Sequence, residues 1–142
     1  MSYKRVPFRR WHLAWLEERG DAAEATDYKM SPEAIRELEK SPAWTGIYEG
    51  EPIACGGVLE LWPGRFQAWA FLNKGSARHM GWITRQAHQV LAEAKGRIEL
   101  SVRCDFAAGH RWARLLGFEV ETPVMKAYGP DGADHTGYVK VN

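Results

Sequence analysis

The chain has 142 residues, 45% of them hydrophobic and 26% charged, with a formal net charge of +1. That length suits a single domain over residues 1–142 that buries its core without metal or disulfide staples, and the composition excludes the low-hydrophobicity, high-charge class of disordered chains. The balanced charge removes any global attraction to polyanions, so neither nucleic acid nor a membrane surface is expected as a partner.

Taken in order, Tyr3 to Val6 reads as a short strand, and Pro7 stands where a helix start tolerates a missing N–H. Phe8, Trp11, Trp15 and Leu16 recur on one helical face, which predicts a helix over about Pro7 to Arg19. From Gly20 to Met30 the chain turns small and polar, a loop that either walls a substrate site or is a surface excursion. Ser31-Pro-Glu-Ala34 opens a second helix, with Ser31 as N-cap and Pro32 in the first turn, and Ser41-Pro42 ends it. Trp44 to Tyr48 and Ile53 to Leu61 then form a hairpin around Glu49-Gly-Glu-Pro52, and Trp62-Pro63-Gly64 reverses the chain into a third strand, Arg65 to Leu72.

After the polar turn Asn73-Lys-Gly-Ser76, the residues Ala77, Met80, Ile83, Ala87, Val90, Leu91 and Ala94 line one side of a helix suited to packing on a sheet. Ile98, Leu100 and Val102 alternate as a strand, Cys104 to Gly109 connects, and a short helix from His110 ends at Gly117 in a left-handed cap. Glu119 to Val124 and His135 to Val141 are the last two strands. Arg65 to Phe118 thus holds two strand–turn–helix units side by side. Helix starts leave backbone N–H groups unpaired, so this pair of units is a candidate cleft for an anionic cofactor.

The two cysteines, Cys55 and Cys104, lie in or beside strands and are expected as reduced thiols. No Cys/His pair has zinc-site spacing, and His79 and His88 share a helix without a third ligand, so no metal is expected. Met1 to Pro7 lacks the apolar core of a signal peptide and no apolar run reaches bilayer length, which gives a cytoplasmic expectation.

The element order, with Leu115-Leu-Gly-Phe118 running straight into a strand, resembles the GNAT superfamily of acyl-CoA-dependent N-acyltransferases. Agreement in order covers nearly the whole chain, while residue agreement is confined to Arg65 through Glu121. Arg78-His-Met-Gly-Trp-Ile-Thr-Arg85 and Gly109-His-Arg-Trp-Ala-Arg-Leu-Leu-Gly-Phe118 are similar to segments of divergent GNAT-like proteins encoded by bacteriophages, an origin that implies the host cytoplasm or the virion. The resemblance implies an α+β fold in three α/β/α layers, a mixed, mostly antiparallel sheet flanked by about four helices. It implies acetyl-CoA as co-substrate and an amine of a small molecule or protein as acceptor. A homodimer is compatible with it.

In that family the fourth strand takes the pantetheine arm on its backbone, here Ala70, Phe71, Leu72 and Asn73. A loop of the form Gln/Arg-x-x-Gly-x-Gly/Ala usually wraps the pyrophosphate; this chain has Asn73-Lys-Gly-Ser-Ala-Arg78, leaving Lys74, Gly75, Ser76 and Arg78 as candidate contacts. Many members protonate the departing thiolate with a tyrosine four residues before the Gly-Phe glycine, a position held here by Ala113. His110, three residues earlier, is the candidate replacement, with Tyr128 a second; His110 is otherwise helix-start polarity. Glu60, at the end of the strand before Arg65, is the candidate base for the amine, or an exposed strand-end carboxylate. Asp105 is a further carboxylate, or a cap for the last helix. The two departures also suit a catalytically silent GNAT-like binding or virion-associated protein.

Overall fold

The computed structural model describes residues 2–18 and 31–142. The expected loop from Gly20 to Met30, and Arg19 at the end of the first helix, lie outside the described residues. In chain order the elements are β1 (Tyr3–Pro7), α1 (Arg10–Glu18), α2 (Pro32–Lys40), β2 (Ala43–Tyr48), β3 (Glu51–Trp62), β4 (Arg65–Leu72), α3 (Met80–Glu93), β5 (Arg97–Arg103), α4 (Ala107–Leu115), β6 (Glu119–Met125) and β7 (His135–Val141). A 3₁₀ turn, Lys74–His79, leads into α3. The order of strands and helices is the expected one.

One mixed sheet runs β1-β2-β3-β4-β5-β7-β6. Neighbours are antiparallel except β4 and β5, which run parallel. On one face Ala54, Val58, Ile98, Val102 and Tyr138 pack with Ile83, Ala87 and Leu91 of α3 and Ala113 of α4. On the other, Cys55, Trp69 and Phe71 pack with Leu13 and Leu16 of α1 and Leu38 of α2. The three-layer α/β/α arrangement is therefore built from the period-two alternation of the central strands against two helix pairs.

Several boundaries differ from expectation. Pro7 does not start a helix; it ends β1 opposite Trp44, which an outermost strand tolerates because one side of its backbone needs no partner. The first helix starts at Arg10, with the Arg9 N–H donating to His12 Nδ1 at 3.0 Å. Ser31 caps α2 as expected, its hydroxyl accepting from the Ala34 N–H at 3.2 Å. The last helix begins at Ala107, one turn earlier than predicted, and its N-cap is Phe106 rather than Asp105. Asp105 instead accepts from Arg103 Nε at 3.3 Å.

At the junction of β4 and β5, Gly96 adopts φ +135°, and a Cβ there would overlap the Gly64 carbonyl, 2.9 Å even from Gly64 Cα. The Arg97 N–H donates to Gly64 O at 2.8 Å. This contact pins together the N-terminal ends of the two parallel strands.

Candidate functional site

β4 and β5 pair only at Arg65–Arg97, Phe66–Ile98 and Gln67–Glu99. Beyond Gln67 the strands part, while β4 stays paired with β3 through Leu72 and β5 with β7 through Arg103. The β5-facing backbone edge of Ala68 to Leu72, to which alternate residues turn their N–H and C=O groups, is thus released from the sheet, and Ala70, Phe71 and Leu72 lie along this stretch. An unpaired strand edge in a cleft is suited to an extended amide-bearing ligand.

The turn after β4 is closed more tightly than an open phosphate loop. Ser76 is buried: its Oγ donates to the Ile53 carbonyl and accepts from the Asn73 N–H at 3.0 Å. Asn73 Nδ2 donates to Leu16 O at 3.3 Å, tying the turn to α1. Ser76 is therefore spent on the fold. Lys74, Gly75 and Arg78 are exposed on the turn. The Arg78 Nε–H donates to His79 Nε2 at 3.2 Å, so His79 carries its proton on Nδ1, which faces the Tyr3 hydroxyl at 2.9 Å. Burial and the neighbouring Arg78 charge hold the His79 pKa below the ordinary histidine value.

On the α1/α2 side of the sheet, beyond the cover of those helices, a cavity of about 170 Å³ lies over β4, β5, β7 and β6. Its floor is the polar face of the strands: Arg65 and Gln67 from β4, Glu99 and Ser101 from β5, Gly137 from β7. Leu61, Thr122, Met125 and Tyr128 form its sides. Arg65 clasps Glu99 through Nε and, at 3.1 Å, through Nη2, and its guanidinium lies 4.4 Å from the Trp62 ring centroid. Arg97 bridges Glu99 to Glu121. Hydrogen bonds from these arginines hold both carboxyls below the usual carboxylate range.

Deeper along the same face, His135 Nδ1 lies 3.2 Å from Ser101 Oγ, and the Tyr128 ring packs at 5.4 Å from the imidazole. Burial first, and then the Arg103 charge, lowers the His135 pKa, against the opposing pull of Asp131 and Asp105. None of Arg65, Glu99, Ser101 and His135 is singled out by the sequence reading. The available signal was Arg97-Ile-Glu-Leu-Ser-Val-Arg103, a strand whose alternate residues are all polar and which therefore has one face outside the core.

The expected catalytic residues do not meet in this cavity. Glu60 is exposed and pairs with Phe66, so its side chain leaves the sheet on the α3/α4 face, opposite the cavity. His110 also lies on the α3/α4 side. Its Nδ1 is 2.6 Å from the Tyr138 hydroxyl, and its Nε2 faces the Arg103 and Cys104 carbonyls at 2.9 and 3.2 Å. Carbonyls only accept, so Nε2 holds the proton and Nδ1 accepts from Tyr138. Ala113 is 2% exposed. Between the two helices over the cleft, Trp112 Nε1 donates to Thr84 Oγ1 at 2.9 Å.

No family model matches the sequence, and no curated protein matches it. Solved structures do match its fold. Ard1 from Thermoplasma volcanium superimposes with a TM-score of 0.74 at 13% identity, covering 99% of this chain and 98% of that one. The ribosomal-protein-S18-alanine N-acetyltransferase from Escherichia coli gives 0.72 at 14% identity, covering 97% and 92%. A GNAT-family acetyltransferase from Bacillus anthracis gives 0.71 at 13% identity, covering 98% and 94%. The chain has the GNAT fold. Among the described residues, no helix is long and apolar enough to cross a membrane.

Proposed function

We propose that this protein is an N-acetyltransferase that moves an acetyl group from acetyl-CoA to an amine of a small molecule or protein. The observation that carries the reading is the parting of β4 and β5 beyond Gln67 and Glu99, in a GNAT fold, with a polar cavity on the opposite face where they part. A cofactor arm entering along β4 and an amine entering through the cavity would meet at that fork.

In this reading the backbone of Ala70, Phe71 and Leu72 holds the pantetheine amides, and an N–H near Phe71 or Leu72 faces the developing oxyanion, while Asn73, whose N–H goes to Ser76 Oγ and whose carbonyl takes the Ser76 N–H, closes the turn. Lys74, Gly75 and Arg78 meet the pyrophosphate, while Ser76 shapes the turn from inside. The bound thioester supplies an acyl carbon that a neutral amine can attack, forming the C–N bond as the C–S bond breaks. The amine must first lose a proton, and the leaving thiolate must gain one. Ala113 has no proton to give, and His110 has both ring nitrogens engaged by the fold, so water or the group that took the amine proton serves the thiolate.

The test is release of free thiol from acetyl-CoA in the presence of primary amines and of peptides with free N-termini, with the acetylated product identified by mass spectrometry. Thiol release matched by product supports transfer; no release with any acceptor removes it. Ala113 in the tyrosine position and the capping role of Ser76 favour a second reading, a GNAT-fold protein that binds without turning over. Acetyl-CoA binding without thiol release is its signature.

A further inference from the structure

We infer that Ser101 and His135 form the relay that removes the proton from the acceptor amine, an inference that rests on the acetyltransferase reading above. Ser101 is the next residue along β5, on the cavity face, after Glu99, the last residue paired with β4. Its hydroxyl therefore stands in the opened part of the fork, on the side from which the amine arrives. His135, on the neighbouring strand β7, faces that hydroxyl through Nδ1 at 3.2 Å, behind it and beside the Tyr128 ring.

Other proton acceptors at the cavity are poorly suited. Glu99 and Glu121 are clasped by Arg65 and Arg97, which lowers their proton affinity. Glu60 leaves the sheet on the other face. His135 is neutral near pH 7, because burial and Arg103 disfavour its cation, while Asp131 and Asp105 near the same end of β5 temper the shift. Arg103 itself is held by Asp105 at 3.3 Å and by Asp131 at 2.6 Å, which leaves the surroundings of the imidazole close to balanced in charge.

The proton transfer balances. With the imidazole as the Nε2–H tautomer, Ser101 donates its hydroxyl proton to His135 Nδ1 as Oγ receives a proton from the substrate ammonium. The products are a neutral amine, an intact serine hydroxyl and an imidazolium. As the tetrahedral intermediate collapses, the nitrogen loses its second proton to water, and the imidazolium proton returns by the reverse path to the leaving thiolate.

The experiment compares wild type with Ser101→Ala, Ser101→Thr and His135→Gln. Acetyl-CoA affinity is read by calorimetry. Thiol release is read from pH 5.5 to 9.5, with mixed primary amines and with water as the only acceptor. Loss of a general base costs roughly a hundredfold or more. The expected result is such a loss in His135→Gln, together with loss of the acidic limb of the pH profile, while acetyl-CoA affinity is unchanged. Ser101→Ala falls similarly, and Ser101→Thr, which keeps a hydroxyl, recovers most of the rate. Active wild type with an unaltered rate and pH profile in His135→Gln overturns the relay alone. Wild type that binds acetyl-CoA without releasing thiol overturns the relay and leaves the binding-only reading. Wild type that does not bind overturns both the relay and the acetyltransferase reading.

Discussion

The Tyr138 hydroxyl on β7 donates to Nδ1 of His110 on α4 at 2.6 Å, joining the last strand to the helix beneath the Gly117-Phe118 corner. With Nε2–H engaged by the Arg103 and Cys104 carbonyls, the imidazole is a fixed strut between β5, β7 and α4. His110→Ala leaves a buried hydroxyl without its acceptor and is expected to cost about 1–3 kcal/mol of stability. Denaturant unfolding checks this. The rate of thiol release by the folded variant is expected to stay unchanged, in contrast to the acid role that the sequence suggested.

Gly96 is a second structural point with a clear outcome. At φ +135°, with its would-be Cβ overlapping the Gly64 carbonyl, Gly96→Ala is both strained and crowded. A loss on the order of 3 kcal/mol is expected, because only backbone can move to relieve it. Thermal melting of Gly96→Ala beside Gly81→Ala, where only the Arg85 side chain comes within 3.8 Å of the added Cβ, separates the two effects.

The pH dependence of stability has two stages. His12, His79 and His135 have folded pKa values lowered chiefly by burial. The unfolded chain takes up these protons first, at about pH 6.5, so their stabilisation is full above that pH and is lost as pH falls toward the folded values. Glu99, Glu121 and Asp131 are lowered by hydrogen bonds, the carboxylates of Glu99 and Glu121 mainly by arginines and Asp131 first by the Ala133 N–H. Their stabilisation is full above about pH 4.3 and disappears on further acidification. Urea midpoints from pH 8 to pH 3 should fall in both windows, and His12→Gln should flatten the upper one. A curve with loss only below pH 4 contradicts the histidine stage.

Lys74 and Arg78 stand on the turn where the pyrophosphate is proposed to sit. Replacing both by Ala is expected to weaken acetyl-CoA binding by about tenfold or more, with an effect that shrinks at high salt. Unchanged affinity in the double variant would remove that placement.

Much of this fold was legible in local sequence. β4 falls at Arg65–Leu72 because Trp62-Pro63-Gly64 before it and Asn73-Lys-Gly-Ser76 after it are strong breaks. Ser31 and Gly117 marked helix ends through cap chemistry that needs only neighbouring residues. Pro7 suits a helix start by local chemistry alone; its place in a strand depends on that strand being outermost, which is a property of the whole sheet. The site was less legible for the same reason. Arg65 meets Glu99, and Ser101 meets His135, each across 34 positions of sequence, and the parting of β4 from β5 has no residue signature of its own. Glu60 lies near β4 in sequence, but which face it leaves by follows from its pairing with Phe66.

The parted edge of β4 is proposed to hold acetyl-CoA, and calorimetric titration of the full chain with acetyl-CoA decides whether it does. Saturable binding with one equivalent per chain and a matching rise in melting temperature are expected. No heat at high micromolar ligand, with no thermal shift, contradicts it.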